Sequence, residues 1–275
     1  MTTLSGVVLL DATTLEEMAS ATTSVPQDAL SFSRDEATLA TADYGMDRKQ
    51  FRLWNTDDLS VASAKKLPGR TDDFDLVMLI AFTQDGDLLL VTSGLTGTDV
   101  WRVAPDGGMR RALQIEAVIP ESATVDPSRG LIATYMSPGG PEQNVQIRSF
   151  LGANLQQELP YTGALELEFA PGEGALLIST GDAVIVWDVD RSRELTQIPI
   201  STGRLAVGRN DALFAAGTDR PALGTGLWEV RTGTLVGFIP DERLNDTVQR
   251  VFSPTNDELG MLRNDGALEI WEFTR

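Results

Sequence analysis

The segment VIVWD, Val184 to Asp188, carries a residue pattern that recurs along the whole chain and indicates the fold class. Four more segments place an apolar residue before a tryptophan and a polar or charged residue after it: FRLWN ending at Asn55, TDVWR ending at Arg102, TGLWE ending at Glu229 and LEIWE ending at Glu272. VVLLD ending at Asp11 and VQIRS ending at Ser149 fit without the tryptophan. The aligned positions are 10, 54, 101, 148, 187, 228 and 271, spaced by 44, 47, 47, 39, 41 and 43 residues. This period predicts an array of similar structural repeats.

A second marker runs in phase with the first and predicts that the repeats are built from strands. A short apolar segment followed by Gly, Pro, Asn or Asp recurs around the anchors Phe32, Phe82, Val125, Phe169, Val207 and Phe252. Such clusters are typical of the tight turns between strands. The stretch from Leu165 to Phe169 alternates apolar and acidic residues, which places three apolar side chains on one face of a strand. The segment from Thr14 to Ala19 has the spacing of a helical capping box, but the repeat register predicts an outer strand there.

These segments resemble the WD-repeat family, in which four strands form a blade and the third strand ends in Trp-Asp. Only Trp187 and Asp188 carry the literal dipeptide. The resemblance covers nearly the whole chain and implies an all-β fold, a β-propeller of four-stranded antiparallel blades whose tryptophans pack one blade against the next. The family's Gly-His pair before the first strand of each blade is missing, because the chain has no histidine. The hydrogen-bond network that this histidine makes in the family is therefore not expected here.

The strand count favours six blades and a single domain over residues 1–275. In that arrangement the strand near Glu16 to Ala19 completes a blade with the three strands between Thr247 and Phe273, since a propeller commonly closes by pairing strands from its two ends. The strand from Gly6 to Leu10 is then left over. Seven blades are the alternative if the chain is a fragment of a longer ring.

Composition excludes several classes of function. With no cysteine and no histidine, Ser-His-Asp and Cys-His catalysis and ordinary zinc sites are ruled out. The 40 acidic residues against 22 basic ones give a net charge of −18, which disfavours binding to nucleic acid and to anionic membrane surfaces. No stretch approaches the roughly 20 apolar residues that span a bilayer. We expect a cytoplasmic protein with no cofactor, no metal and no catalytic residues, and leave its oligomeric state open.

The predicted function is a scaffold or sensor platform that binds a protein partner through loops on one face. Three loops between second and third strands are long: Asp43 to Lys49, Met136 to Gln143 and Thr218 to Thr225. They bring residue types that are enriched in protein interfaces: Tyr44, Met46, Arg48, Met136 and Arg220. The acidic cluster Asp72, Asp73 and Asp75 is expected on the same face, as a solvated turn and not a Ca²⁺ site, since no EF-hand pattern is present. The long loops are equally consistent with tolerated surface insertions that have no role in binding. The alternative function of the chain is a carboxylate-dependent hydrolase or carbohydrate-binding propeller.

Overall fold

The computed structural model describes residues 2–3, 6–11, 14–24, 27–43, 50–66, 76–94, 97–116, 120–136, 144–152, 154–200, 204–208, 212–218, 223–240, 247–253, 258–263 and 265–273. Their contacts divide the chain into two compact units, and both are built from antiparallel sheets. No helix in the described ranges is long and apolar enough to cross a membrane.

The first unit comprises Met1–Pro120 with Ser149–Asn154 and contains three sheets. A three-stranded sheet is formed by β1 Thr2–Thr3, β2 Gly6–Leu10 and β3 Glu17–Thr22. The next sheet has four strands, β4 Gln27–Phe32, β5 Thr38–Asp43, β6 Gln50–Asn55 and β7 Val61–Lys66. The third also has four, β8 Leu76–Phe82, β9 Leu88–Gly94, β10 Gly97–Val103 and β11 Met109–Glu116. Neighbours in sequence are neighbours in each sheet, so every sheet is a meander.

The second unit comprises Glu121–Arg148 with Leu155–Arg275 and repeats the same construction. Its first sheet holds β12 Pro120–Asp126, β13 Leu131–Met136, β14 Val145–Ser149 and β15 Leu155–Leu159. Its second holds β16 Glu166–Ala170, a 3₁₀ turn Pro171–Glu173, β17 Ala175–Ser179, β18 Val184–Asp188 and β19 Arg193–Ile198. The third holds β20 Leu205–Val207, β21 Leu213–Thr218, β22 Gly224–Glu229 and β23 Leu235–Pro240. The last sheet has three strands, β24 Thr247–Phe252, β25 Glu258–Arg263 and β26 Leu268–Glu272.

One irregularity recurs where the tryptophan strand meets the outer strand of its sheet. The pairing of β18 with β19 shifts register between Val186 and Trp187, and the pairing of β22 with β23 shifts between Leu227 and Trp228. The same shift falls at the aligned position in β2–β3, β6–β7, β10–β11 and β14–β15. A bulge of this kind adds one residue and increases the local twist. The alignment by tryptophan therefore identifies equivalent positions in the backbone, including those held by Leu10 and Arg148.

The tryptophans pack against the sheet that precedes their own, as predicted. Trp54 lies in one apolar cluster with Val7 of β2, and Trp228 lies in another with Val184 and Val186 of β18. Both indole rings are buried, with exposed fractions of 2% and 3%. The prediction is wrong for Trp271, whose exposed fraction is 38%. Its strand β26 pairs with β25 alone within the described part of the chain.

The predicted fold class, an all-β propeller of antiparallel blades, is confirmed, with two local corrections. The segment from Gly6 to Leu10 is not left over, because it forms β2 and pairs with β3 along its whole length. The predicted closure is therefore wrong: the strand near Glu16 to Ala19 forms β3 beside β2, and within the described residues the sheet β24–β26 has three strands. Leu165 does not share the buried face of Leu167 and Phe169. It precedes the first residue of β16 and is 56% exposed, whereas the other two are buried. The segment at Thr14 to Ala19 leads into an outer strand, β3, as the register predicts.

Candidate functional site

The three long loops connect second strands to third strands, as the repeat register requires. Strand β5 ends at Asp43 and β6 begins at Gln50, β13 ends at Met136 before Val145, and β21 ends at Thr218 before Gly224. In an antiparallel meander these connections leave from the same end of the sheet as the connections to the next sheet. We call this end of each sheet its loop end. Of the predicted site residues, Met136 is the last residue of β13, and the others lie outside the described residues: Tyr44, Met46, Arg48, Asp72, Asp73, Asp75 and Arg220.

A buried polar network supports the loop end of the sheet β4–β7. The Trp54 Nε1–H donates to Thr41 Oγ1 over 2.9 Å, and the Thr41 hydroxyl donates to Gln27 Oε1 over 2.7 Å. The Gln27 Nε2–H donates to Asp43 Oδ1 over 2.8 Å. Arg52 closes the network by donating to both oxygens of Asp43, over 3.0 and 2.8 Å. Because Asp43 is the last residue of β5, the network fixes the backbone from which the loop to β6 departs.

The sequence pattern does not reveal this network, because histidine marks such a network in the family that the repeats resemble and this chain has none. A neutral histidine offers one donor and one acceptor, and the side-chain amide of Gln27 offers both as well. Gln27 is the first residue of β4 and is buried with an exposed fraction of 5%. The sequence signal for this network is a Gln on the first strand, a Thr on the second and a Trp on the third strand of one repeat. Asp43, at the end of the second strand, completes the signal.

In the second unit, the carboxylate of Glu166 lies where the sheets β16–β19 and β20–β23 meet. Glu166 is the first residue of β16, and its Oε2 accepts the backbone N–H of Leu205 over 2.5 Å. Burial raises the pKa of Glu166 to about 7, and the Leu205 N–H with the positive charges of Arg204 and Arg250 opposes that rise. Arg250 is itself buried and donates from Nε to Thr225 Oγ1 over 3.0 Å. The alternation from Leu165 to Phe169 places Glu166 on the polar face of a strand and does not indicate its burial, and no sequence pattern indicates Arg204 or Arg250.

The raised pKa of Glu166 predicts a specific dependence of stability on pH. The folded state holds the proton of Glu166 more tightly than an unfolded chain, in which this carboxyl titrates near 4.5. The stabilisation that the protonated side chain contributes is therefore fully present below pH 4.5 and is lost as the pH rises through about 7. We expect the free energy of unfolding of Glu166→Gln to exceed that of the parent chain by an amount that grows between pH 5 and 8 and reaches up to about 3 kcal/mol. Urea unfolding at several pH values measures this difference. Glu168→Gln, two residues along the same strand, is the matched control, and equal pH profiles for Glu166→Gln and the parent would contradict the assignment.

Two exposed apolar side chains accompany this cluster at the loop ends. Leu165 precedes β16, and Leu223 precedes β22, with exposed fractions of 56% and 50%. The Glu166–Leu205 hydrogen bond joins the two sheets to which they belong. Exposed apolar groups at the loop ends are consistent with a binding surface, since the centres of interfaces are more apolar than the rest of the surface.

The Trp-Asp dipeptide itself has a structural role. Asp188 Oδ1 accepts the backbone N–H of Arg191 over 3.0 Å, and Oδ2 accepts from the Arg191 guanidinium over 2.8 Å. The hydrogen bond from the Arg191 side chain is the main cause that lowers the pKa of Asp188. The side chain therefore stays ionised and closes the turn between β18 and β19. Among the residues with described positions, no three carboxylates come together as ligands for a metal ion.

Comparison with known proteins shows the fold and leaves the activity open. No family model matches the chain, and no curated protein matches it. A chain in the crystal structure of a mitotic checkpoint complex is similar, with a TM-score of 0.71 at 12% sequence identity, over 98% of this chain and 84% of that chain. In all, 1286 solved chains match, so the architecture is too widely shared to select a function. The likeness supports the fold alone, an all-β propeller of antiparallel blades.

Proposed function

We propose that the chain is a non-catalytic protein-interaction platform that binds its partner at the loop ends of its sheets. The observation that carries this proposal is the pair of exposed leucines, Leu165 and Leu223, at the loop ends of two sheets that the Glu166–Leu205 hydrogen bond joins. Exposed apolar side chains supply area that a partner can desolvate on binding. The predicted loop residues belong to the same proposal: Tyr44, Met46, Arg48, Asp72, Asp73, Asp75, Met136 and Arg220.

The charge of the chain indicates the kind of partner. A net charge of −18 attracts basic protein surfaces and repels polyanions. We therefore propose a protein partner with a basic contact surface, and neither nucleic acid nor an anionic membrane. We also propose that residues 1–275 form a single functional domain and that the protein is located in the cytoplasm.

Glu166 is the observation that favours the alternative, a carboxylate-dependent hydrolase. A pKa near 7 suits a general acid. A glycosidase also needs a second carboxylate at a defined separation across the substrate. The groups that act on Glu166 are instead the Leu205 N–H and the guanidinium groups of Arg204 and Arg250, which tie it to the neighbouring strands. We therefore assign Glu166 a structural role beneath the binding surface.

Two substitutions test the platform. Leu165→Arg and Leu223→Arg place a positive charge where the partner's apolar and basic groups are expected to dock, and each should reduce partner retention about tenfold. The measurement is affinity purification of tagged chain from its native lysate, with quantitative mass spectrometry of the retained proteins.

The control is Leu235→Arg, which changes a leucine of 39% exposure at the opposite end of the sheet β20–β23. Partners held by the parent and by this control, yet lost by both loop-end variants, would support the platform. If every variant retains the same partners, the loop ends are not the binding surface.

A further inference from the structure

Strand β26 differs from the other strands that carry the tryptophan position. In six of the seven described sheets, that strand is hydrogen-bonded on its far side to an outer strand. Strand β26, Leu268–Glu272, pairs only with β25 within the described ranges. An edge strand of this kind presents a row of backbone N–H and C=O groups that can pair with another extended chain.

The side chains of this edge are already held in place. Arg263, on the neighbouring strand β25, donates from Nε and Nη2 to the two oxygens of Glu269 over 2.7 and 2.9 Å. The Trp271 Nε1–H also donates to Glu269 Oε2, over 3.2 Å. The ring of Trp271 is 38% exposed, while Trp54 and Trp228 at the equivalent position are covered. A preorganised edge with an uncovered aromatic ring lowers the entropic cost of adding a strand.

Charge determines what kind of strand suits this edge. Glu272 lies directly opposite Glu258 in the β25–β26 register, and Glu272 is exposed. Like charges opposite each other on neighbouring strands are destabilising. The sheet β16–β19 shows the compensated arrangement, since Asp188, which also follows a tryptophan, lies opposite Arg193 of the outer strand. A lysine or arginine opposite Glu272 would compensate the charges at β26 in the same way.

We propose that β26 accepts an extended, basic segment of a partner protein as an antiparallel fourth strand. Its register would follow the six internal examples, with one extra residue opposite the step from Ile270 to Trp271 and a basic residue opposite Glu272. Main-chain hydrogen bonds supply the affinity in such strand addition, and alternate side chains supply the specificity. This site is separate from the loop ends and goes beyond the platform proposed above. A second copy of the chain, with its own net charge of −18, is a poor occupant.

Fluorescence anisotropy with a labelled synthetic peptide tests the proposal on the intact chain. The probe is a ten-residue peptide of alternating lysine and valine. Two control peptides keep its length, one with glutamate in place of lysine and one with alternate backbone nitrogens methylated. We expect the lysine peptide to bind and to shift the emission of Trp271 to shorter wavelength, and both control peptides to fail. Equal binding of the methylated peptide would show attraction by charge alone and would overturn strand addition, as would failure of the lysine peptide to bind.

Matched variants locate the binding. Glu272→Lys should weaken binding of the lysine peptide roughly fivefold or more. Glu229→Lys is the control, because Glu229 follows Trp228 at the same repeat position, in a strand that already has its outer partner β23. The Glu229→Lys variant should bind the peptide as the parent chain does. Leu165→Arg should also bind normally, which separates this test from that of the platform. A dimer in sedimentation that the peptide dissociates would identify a second copy as the occupant and overturn the proposal.

Discussion

Replacing Arg52 by leucine is expected to lower the free energy of unfolding by about 3–5 kcal/mol. The Asp43 side chain has no exposed surface, and Arg52 makes its only described ion pair, at 2.8 Å. Removal of one partner from such a pair leaves an uncompensated charge in the protein interior, which costs far more than the pair itself contributes. The Gln27 amide still donates to Asp43, but a single neutral donor does not offset the lost guanidinium. Urea unfolding followed by circular dichroism measures the change.

Two further variants separate charge from packing. Arg111→Leu removes an arginine that is 46% exposed and lies 3.5 Å from Asp99, and it should cost about 1 kcal/mol or less. Adding Asp43→Asn to Arg52→Leu removes the buried charge and should recover part of the lost stability. No recovery in the double variant would mean that the leucine side chain, and not the unpaired carboxylate, causes the loss.

Trp228→Ala is expected to lower the free energy of unfolding by about 3–5 kcal/mol. The ring stacks on Phe214 with 5.4 Å between centroids and 19° between planes, and both side chains are buried. It also packs against Val184 and Val186 of the preceding sheet, so its removal opens a cavity between two sheets. The shift of the urea midpoint at constant slope measures the cost.

Trp271→Ala is the matched control, because Trp271 occupies the same repeat position with 38% of its surface exposed. Its loss should cost about 2 kcal/mol or less, since a smaller part of its surface is buried than at Trp228. Equal losses for the two tryptophans would show that the repeat position, and not burial, sets the contribution of the ring.

The strands and their register could be predicted from the sequence because tryptophan spacing and turn residues repeat with the backbone. VVLLD was correctly aligned to the other repeats without a tryptophan, and the bulge between Leu9 and Leu10 shows why. The pairing of that strand with β3 does not follow from the repeat pattern, because an outer strand at this position is also compatible with the strands between Thr247 and Phe273, to which the strand count assigned it.

The candidate site was less accessible to sequence reasoning. Glu166 and Arg250 lie 84 positions apart, and their relation depends on the packing of β16, β20 and β24. Gln27 was overlooked because a side-chain amide carries no distinctive spacing. The loop tips were predicted from length and residue type, and their role stays a prediction.

The bulge beside the tryptophan position has a consequence for how such a chain can evolve. Because six pairings insert their extra residue at the same step, a whole repeat can be duplicated or exchanged without disturbing the hydrogen bonding of its hairpin. A single-residue insertion elsewhere in a tryptophan strand would turn its following side chains to the opposite face. This architecture is therefore expected to tolerate the gain or loss of whole blades and changes of length in the loops between strands.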